Sequence, residues 1–238
     1  DLTQAPLGPG WLRRFPTNPE AHEIAGPGVW RTGPKLLFRN ELVAAMETAR
    51  EVILLSSFLL ADDALAQAMI QAAGRGVRVY VLTASEQRIG KALREDEVFE
   101  QRMVDQHKKL LENLAGKVLL RSAEHIHAKF LVVDPQLKHG GHAWLSTANF
   151  NKALEDSVEL GVMLNAGEAR ELAACFNWAF WCEAERELRG PNRLVEIKPN
   201  HPAAPPRPSH GAIFATLRDG SVLREQLITL IRGAQKEI

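Results

Sequence analysis

The 238 residues carry 45% apolar and 24% charged side chains, the mix of a globular chain long enough for one large domain or two small ones. The 29 lysines and arginines balance the 29 aspartates and glutamates, so no global field marks a polyanion or membrane-surface binder, and such contacts would need a local groove. No apolar run approaches the ~18 residues of a bilayer span. Cys175 and Cys182 are the only cysteines. They fall on one predicted helix, roughly 10 Å apart and too far to pair, and read as free thiols suited to a reducing, cytoplasmic setting.

Residues 1–33 are rich in proline and glycine and show no sustained period. They read as an irregular N-terminal extension anchored by Trp11 and Trp30. Regular structure begins with "ELVAAMETAR", where Leu42, Val43, Met46 and Ala49 have helical spacing, and continues with the fully apolar strand "EVILLSSFLL". "DDALAQAMIQAAGRG" predicts a helix capped by Asp62 or Asp63 and closed by Gly74 or Gly76, and "VRVYVL" predicts the next strand. This β-α-β unit implies a parallel strand pair. One long polar helix is predicted over residues 92–115, carrying the basic turn "QHKKL" as a solvated face. The strand "KVLLR", the segments "HAKFLVVD", "HAWLS" and "VELGVML", and a helix over 167–188 follow. The expected fold class is therefore α/β, a mixed, largely parallel β-sheet flanked by helices on both faces.

Residues 189–211 contain six of the thirteen prolines and read as an extended linker. Beyond it, "VLREQLITLIRGAQKEI" aligns with "LFRNELVAAMETAREVI", placing Leu227 on Leu42, Ile231 on Met46 and Ala234 on Ala49. This similarity predicts an internal repeat. The expected organisation is an extension (1–33), a first repeat (34–188), the linker (189–211) and the start of a truncated second repeat (212–238).

The chemistry concentrates in "HAKFLVVD" and "STANFN". His127 and Lys129 are two apart and share a face on a strand, as do Thr147 and Asn149 on a neighbouring segment. An imidazole, an ammonium, an amide and a hydroxyl converging on one point suit a phosphate. Lysine neutralises it, the amide and hydroxyl donate to it, and histidine can attack phosphorus. Glu159 is expected to orient the imidazole of His127. His125 is on the same face but lacks the lysine partner, and reads as peripheral.

This pattern resembles the phospholipase D superfamily, whose signature is H-x-K-x4-D followed by G-S-x-N and a downstream glutamate. "HAKFLVVD" fits the first half, "STAN" places Ser146-Thr147 where glycine-serine is usual, and Glu159 matches the acid. The resemblance covers residues 36–188 and the start of the second repeat. It implies a catalytic set of His127, Lys129, Asp134 and Glu159, with Asp134 supporting the site, and phosphate held by Lys129, Thr147 and Asn149. It also implies phosphodiester hydrolysis through a phosphohistidine intermediate, with no metal or other cofactor. A second motif would come from a C-terminal repeat or a dimer partner, and His127 would fill one of the two histidine roles. Nucleic acid is the leading substrate, ahead of phospholipid in a phospholipase or cardiolipin-synthase-type reaction. A non-catalytic binding module is the remaining alternative.

Overall fold

A computed structural model describes residues 23–95, 101–137, 141–191, 193–199, 204–206, 216–217 and 220–235. Trp11 and the rest of the extension before residue 23 lie outside the described residues. In chain order, β1 (Ile24–Gly26) and β2 (Val29–Arg31) precede α1 (Leu37–Thr48), β3 (Val52–Ser57), α2 (Asp63–Gly74) and β4 (Arg78–Ala84). Then come α3 (Glu86–Glu95), α4 (Gln101–Leu114), β5 (Leu119–Ala123), β6 (Lys129–Val133), β7 (His142–Ser146), α5 (Ala153–Asp156) and β8 (Leu160–Leu164). After α6 (Ala166–Trp178) and a π-helical turn follow β9 (Arg186–Gly190), β10 (Arg193–Glu196), the short pair β11 (Thr216–Leu217) and β12 (Gly220–Ser221), and α7 (Val222–Gly233).

One ten-stranded sheet organises the molecule, in the order β1-β2-β8-β7-β6-β3-β4-β5-β9-β10. The α/β class and the mixed sheet are as expected. The parallel character is narrower: only β3–β4 and β4–β5 run parallel, and the other ladders of the sheet are antiparallel. The parallel pair is the one joined by the predicted crossover through α2. Asp62 caps that helix, accepting from the Leu65 N–H at 2.9 Å. Past its end, Gly76 takes φ +91°, a backbone that side-chain-bearing residues rarely adopt.

Alternation along the central strands builds two cores. Ile53, Leu55, Val79, Val81, Leu131 and Val133 face α1, α2 and α4. Leu54, Leu82, Phe130 and Val132 face α6 and the aromatic rings of Phe176 and Phe180. Each large apolar side chain buried in this way contributes roughly 1.5–3 kcal/mol, which explains why β3 and β6, apolar on both faces, occupy the middle of the sheet.

Three expectations change. Residues 24–31 are not irregular: they form a hairpin whose β2 adds to β8, with Trp30 packed 5.9 Å from Phe38. The polar helix expected over 92–115 begins already at Glu86, as α3, and is followed again from Gln101 as α4, with residues 96–100 outside the described residues. The boundary at 189 falls inside a hairpin, because β9 and β10 close the far edge of the sheet and bury Leu188. Proline content in that segment outweighed the short run "RLVE". Among the described residues, no helix is long and apolar enough to cross a membrane.

Asp134 braces the backbone at the start of β3. It sits at the end of β6 remote from His127, at φ +48° and 3% exposed. Its carboxylate accepts the backbone N–H groups of Arg50, Glu51 and Val52, each at 2.8 Å. These bonds fix the entry into β3, the neighbour of β6 in the sheet. Asp134→Ala should therefore destabilise the fold by about 3 kcal/mol in urea denaturation, since it strands buried donors. A loss below about 1 kcal/mol would show the brace to be dispensable.

Candidate active site

The site lies where β3 and β4 end and β6 begins, at the carboxyl ends of the parallel pair, the usual location for sites in open α/β sheets. His127 precedes β6 and is exposed, whereas Lys129 opens the strand and is 8% exposed. By alternation Lys129 shares the face of Leu131 and Val133. Its ammonium donates to the His127 carbonyl at 2.8 Å and lies 3.0 Å from Nδ1 and 3.3 Å from Nε2 of the same ring. The edge of the Phe58 ring packs on that imidazole with centroids 5.0 Å apart.

Lys129 pairs with Ser146 at the end of β7, so Thr147 and Asn149 leave the sheet at the same end as His127. Ser146 accepts the Ala148 N–H at 3.0 Å and shapes that exit. Phe150 then bridges back to Leu60, its N–H donating to Ser57 Oγ at 3.1 Å. The Asn149 Oδ1 atom is buried without a hydrogen-bond partner.

Thr147 and Glu159 have other partners than expected. The Thr147 hydroxyl donates to the Glu159 carboxylate and accepts the Leu160 N–H at 2.9 Å. Glu159 therefore holds Thr147 rather than the imidazole, and the hydroxyl reaches a phosphate only by leaving the carboxylate. Thr32 fixes this loop, accepting the Glu159 N–H at 2.9 Å and donating to the Ser157 carbonyl. His125 is exposed beside Glu124 at 3.9 Å.

Partial desolvation of the ring, then the charges of Lys129 and Arg88, lower the proton affinity of His127 below its ordinary value of 6.5. Burial lowers Lys129 to about 8, opposed by the negative charge of Glu159. Arg88, in the first turn of α3, thus belongs to the electrostatics of the site although sequence spacing gave no sign of it. A helical position 39 residues before His127 is brought near only by tertiary folding. Among the described residues, no group of three His, Cys, Asp or Glu side chains could hold a metal ion.

The family model described as "Cardiolipin synthase, PLD-like domain" matches residues 42–181. No curated protein sequence matches the chain. Among solved structures, a phospholipase D family member, Nuc, from Salmonella typhimurium superposes with TM-score 0.51 at 17% identity, covering 72% of this chain and 100% of that one. A phosphatidylserine synthase from Haemophilus influenzae gives TM-score 0.51 at 13% identity, over 73% of this chain and 43% of that one. A polyphosphate kinase from Porphyromonas gingivalis gives 0.51 at 12%, over 76% and 26%. At these identities the structural matches establish the fold alone.

The electrostatic coupling is directly measurable. In Lys129→Met, loss of the neighbouring cation should raise the His127 pKa toward 6.5 in an NMR titration of the imidazole. An unchanged pKa would mean that the two groups do not share a site.

Proposed function

This chain belongs to the phospholipase D superfamily, and we propose that it hydrolyses phosphodiester bonds at His127 through a phosphohistidine intermediate, with nucleic acid as the leading substrate. One observation carries the reading: the Lys129 ammonium is held within 3.0 Å of the His127 ring, at the end of the sheet where the segment carrying Asn149 leaves β7. A phosphate placed there meets a cation, an amide and a nucleophile together.

In this reading a ring nitrogen of His127 attacks phosphorus, and the bond to the leaving oxygen breaks. A second histidine-type motif protonates that oxygen and then activates water, which cleaves the phosphorus–nitrogen bond and returns the free imidazole. The lowered proton affinity of His127 keeps it neutral near pH 7 and favours attack over acid catalysis. Lys129 and Asn149 hold the phosphoryl charge, with Arg88 adding a cation suited to a polyanion, and the reaction calls for no metal.

The second motif comes from a C-terminal repeat beginning near residue 212 or from a second copy of the chain. α7 supports the repeat. Its Leu227 aligns with Leu42, yet Leu227 is 49% exposed and Leu42 fully buried, as for a helix without a sheet of its own. Cys175 and Cys182, which form no disulfide, suit the cytoplasm within the same proposal.

His127→Asn should abolish cleavage of bis(p-nitrophenyl) phosphate, and Lys129→Met should cost on the order of 10²–10³ in kcat. Thr147→Ala should cost less, because its hydroxyl is engaged by Glu159, and a chelator should change nothing. Activity surviving His127→Asn but lost in chelator would overturn the reading. Oligonucleotide cleavage supports hydrolysis of nucleic acid, and transfer from phosphatidylglycerol vesicles alone would select the lipid reaction.

The pH profile follows from the same pair. kcat/KM should rise as His127 deprotonates below pH 6.5 and fall as Lys129 loses its proton at about 8. A profile flat from pH 5 to 10 would separate these groups from the chemistry.

A further inference from the structure

His107 stands out on α4. The turn "QHKKL" reads as a solvated basic face, and Lys108 and Lys109 are indeed exposed, but His107 is 3% exposed. Its Nδ1 lies 2.8 Å from the Leu60 carbonyl oxygen and 3.3 Å from the Leu60 nitrogen, and the shorter contact assigns the proton to Nδ1, which donates to the carbonyl. Burial holds its proton affinity below the ordinary value, so the ring is a neutral donor.

The loop that it grips serves both halves of the site. Phe58, two residues before Leu60, packs on the His127 imidazole. On the other side, Leu60 bridges to Phe150, and the Ala61 N–H donates to the Phe150 carbonyl at 2.8 Å. Phe150 directly follows Asn149. The Phe58 and Leu59 side chains pack with Val104 of α4, so the apolar contact is already present. The polar link is what the histidine adds: a directional bond that fixes the loop's rotation, where packing alone leaves it free to slide.

We propose that His107 is a positioning residue for the reaction. By holding the Leu60 carbonyl it sets Phe58 against His127 and Phe150 beside Asn149. The inference rests on the reading of His127 as the reacting group, but it can be tested without substrate. The nearby Phe58 ring imposes a ring-current shift on the His127 ring protons, which NMR reads directly.

In the full chain, His107→Leu fills the same core volume but removes the N–H. It should move the His127 ring resonances and lower kcat roughly 10- to 100-fold, the scale of an ångström-level misplacement, with KM nearly unchanged. His107→Asn, whose amide reaches the same carbonyl, should restore both. Phe58→Leu should reproduce the kcat loss with His107 intact, and the double variant should cost no more than the larger single one. Wild-type resonances and kcat in folded His107→Leu would overturn the proposal. If that variant does not fold, wild-type kcat in Phe58→Leu would overturn it equally. A wild-type chain that cleaves nothing would defeat the proposed function, while the resonance comparison would still decide the positioning role.

Discussion

The site depends on an ammonium placed where a sheet should not hold one. Lys129 opens the central strand β6 and is 8% exposed, so its charge is largely deprived of water. Isolated burial of a cation is costly unless it is paired and hydrogen-bonded. Here the contacts are the carbonyl and ring of His127, together with the field of Glu159. These hold the charge in place without neutralising it. Burial brings Lys129 down to about 8, and in the proposed reaction the phosphoryl group is the anion that this charge meets.

The rest of the fold keeps this arrangement rigid. At one end of β6, Asp134 gathers the N–H groups that start β3. At the other, Ser57 ties β3 to Phe150 and Ser146 shapes the exit from β7. Thr32, brought in by the hairpin at the sheet edge, secures the loop of Glu159. His107 reaches up from α4 to the loop between β3 and α2. A site preorganised by bonds outside its reacting groups loses less energy to rearrangement when charge develops.

The central features were legible in the sequence because local rules govern them. The apolar run of β3, the Asp62 cap and the alternation of β4 each follow from period and capping chemistry, and the structure has them. His127 and Lys129 stood out because polar groups at period-two spacing have no place at the head of an apolar strand without a reason, and Asn149 because it repeats that spacing with Thr147 on a neighbouring segment. What was not legible depends on partners distant in sequence. Nothing local fixes the direction of the outer strands, so β1–β2 were read as extension, the start of β9 as the end of the helix over 167–188, and β10 as linker. Glu159 could be placed near the site, but its bond to Thr147 rather than His127 is decided by the turn after β7. His107 was concealed by flanking lysines, since two charges in one turn mask a buried third position, and Arg88 enters only by tertiary approach.

The claim that a partly buried ammonium at the head of β6 awaits a phosphoryl group can be tested on Lys129 itself. Its side-chain signal can be titrated by NMR in the free protein and again with inorganic phosphate at saturating concentration. This account predicts a pKa of about 8 in the free protein and a clear rise with phosphate, as the bound anion stabilises the charged form. A pKa at the ordinary 10.5 in the free protein, or one near 8 that does not respond to phosphate, would contradict it.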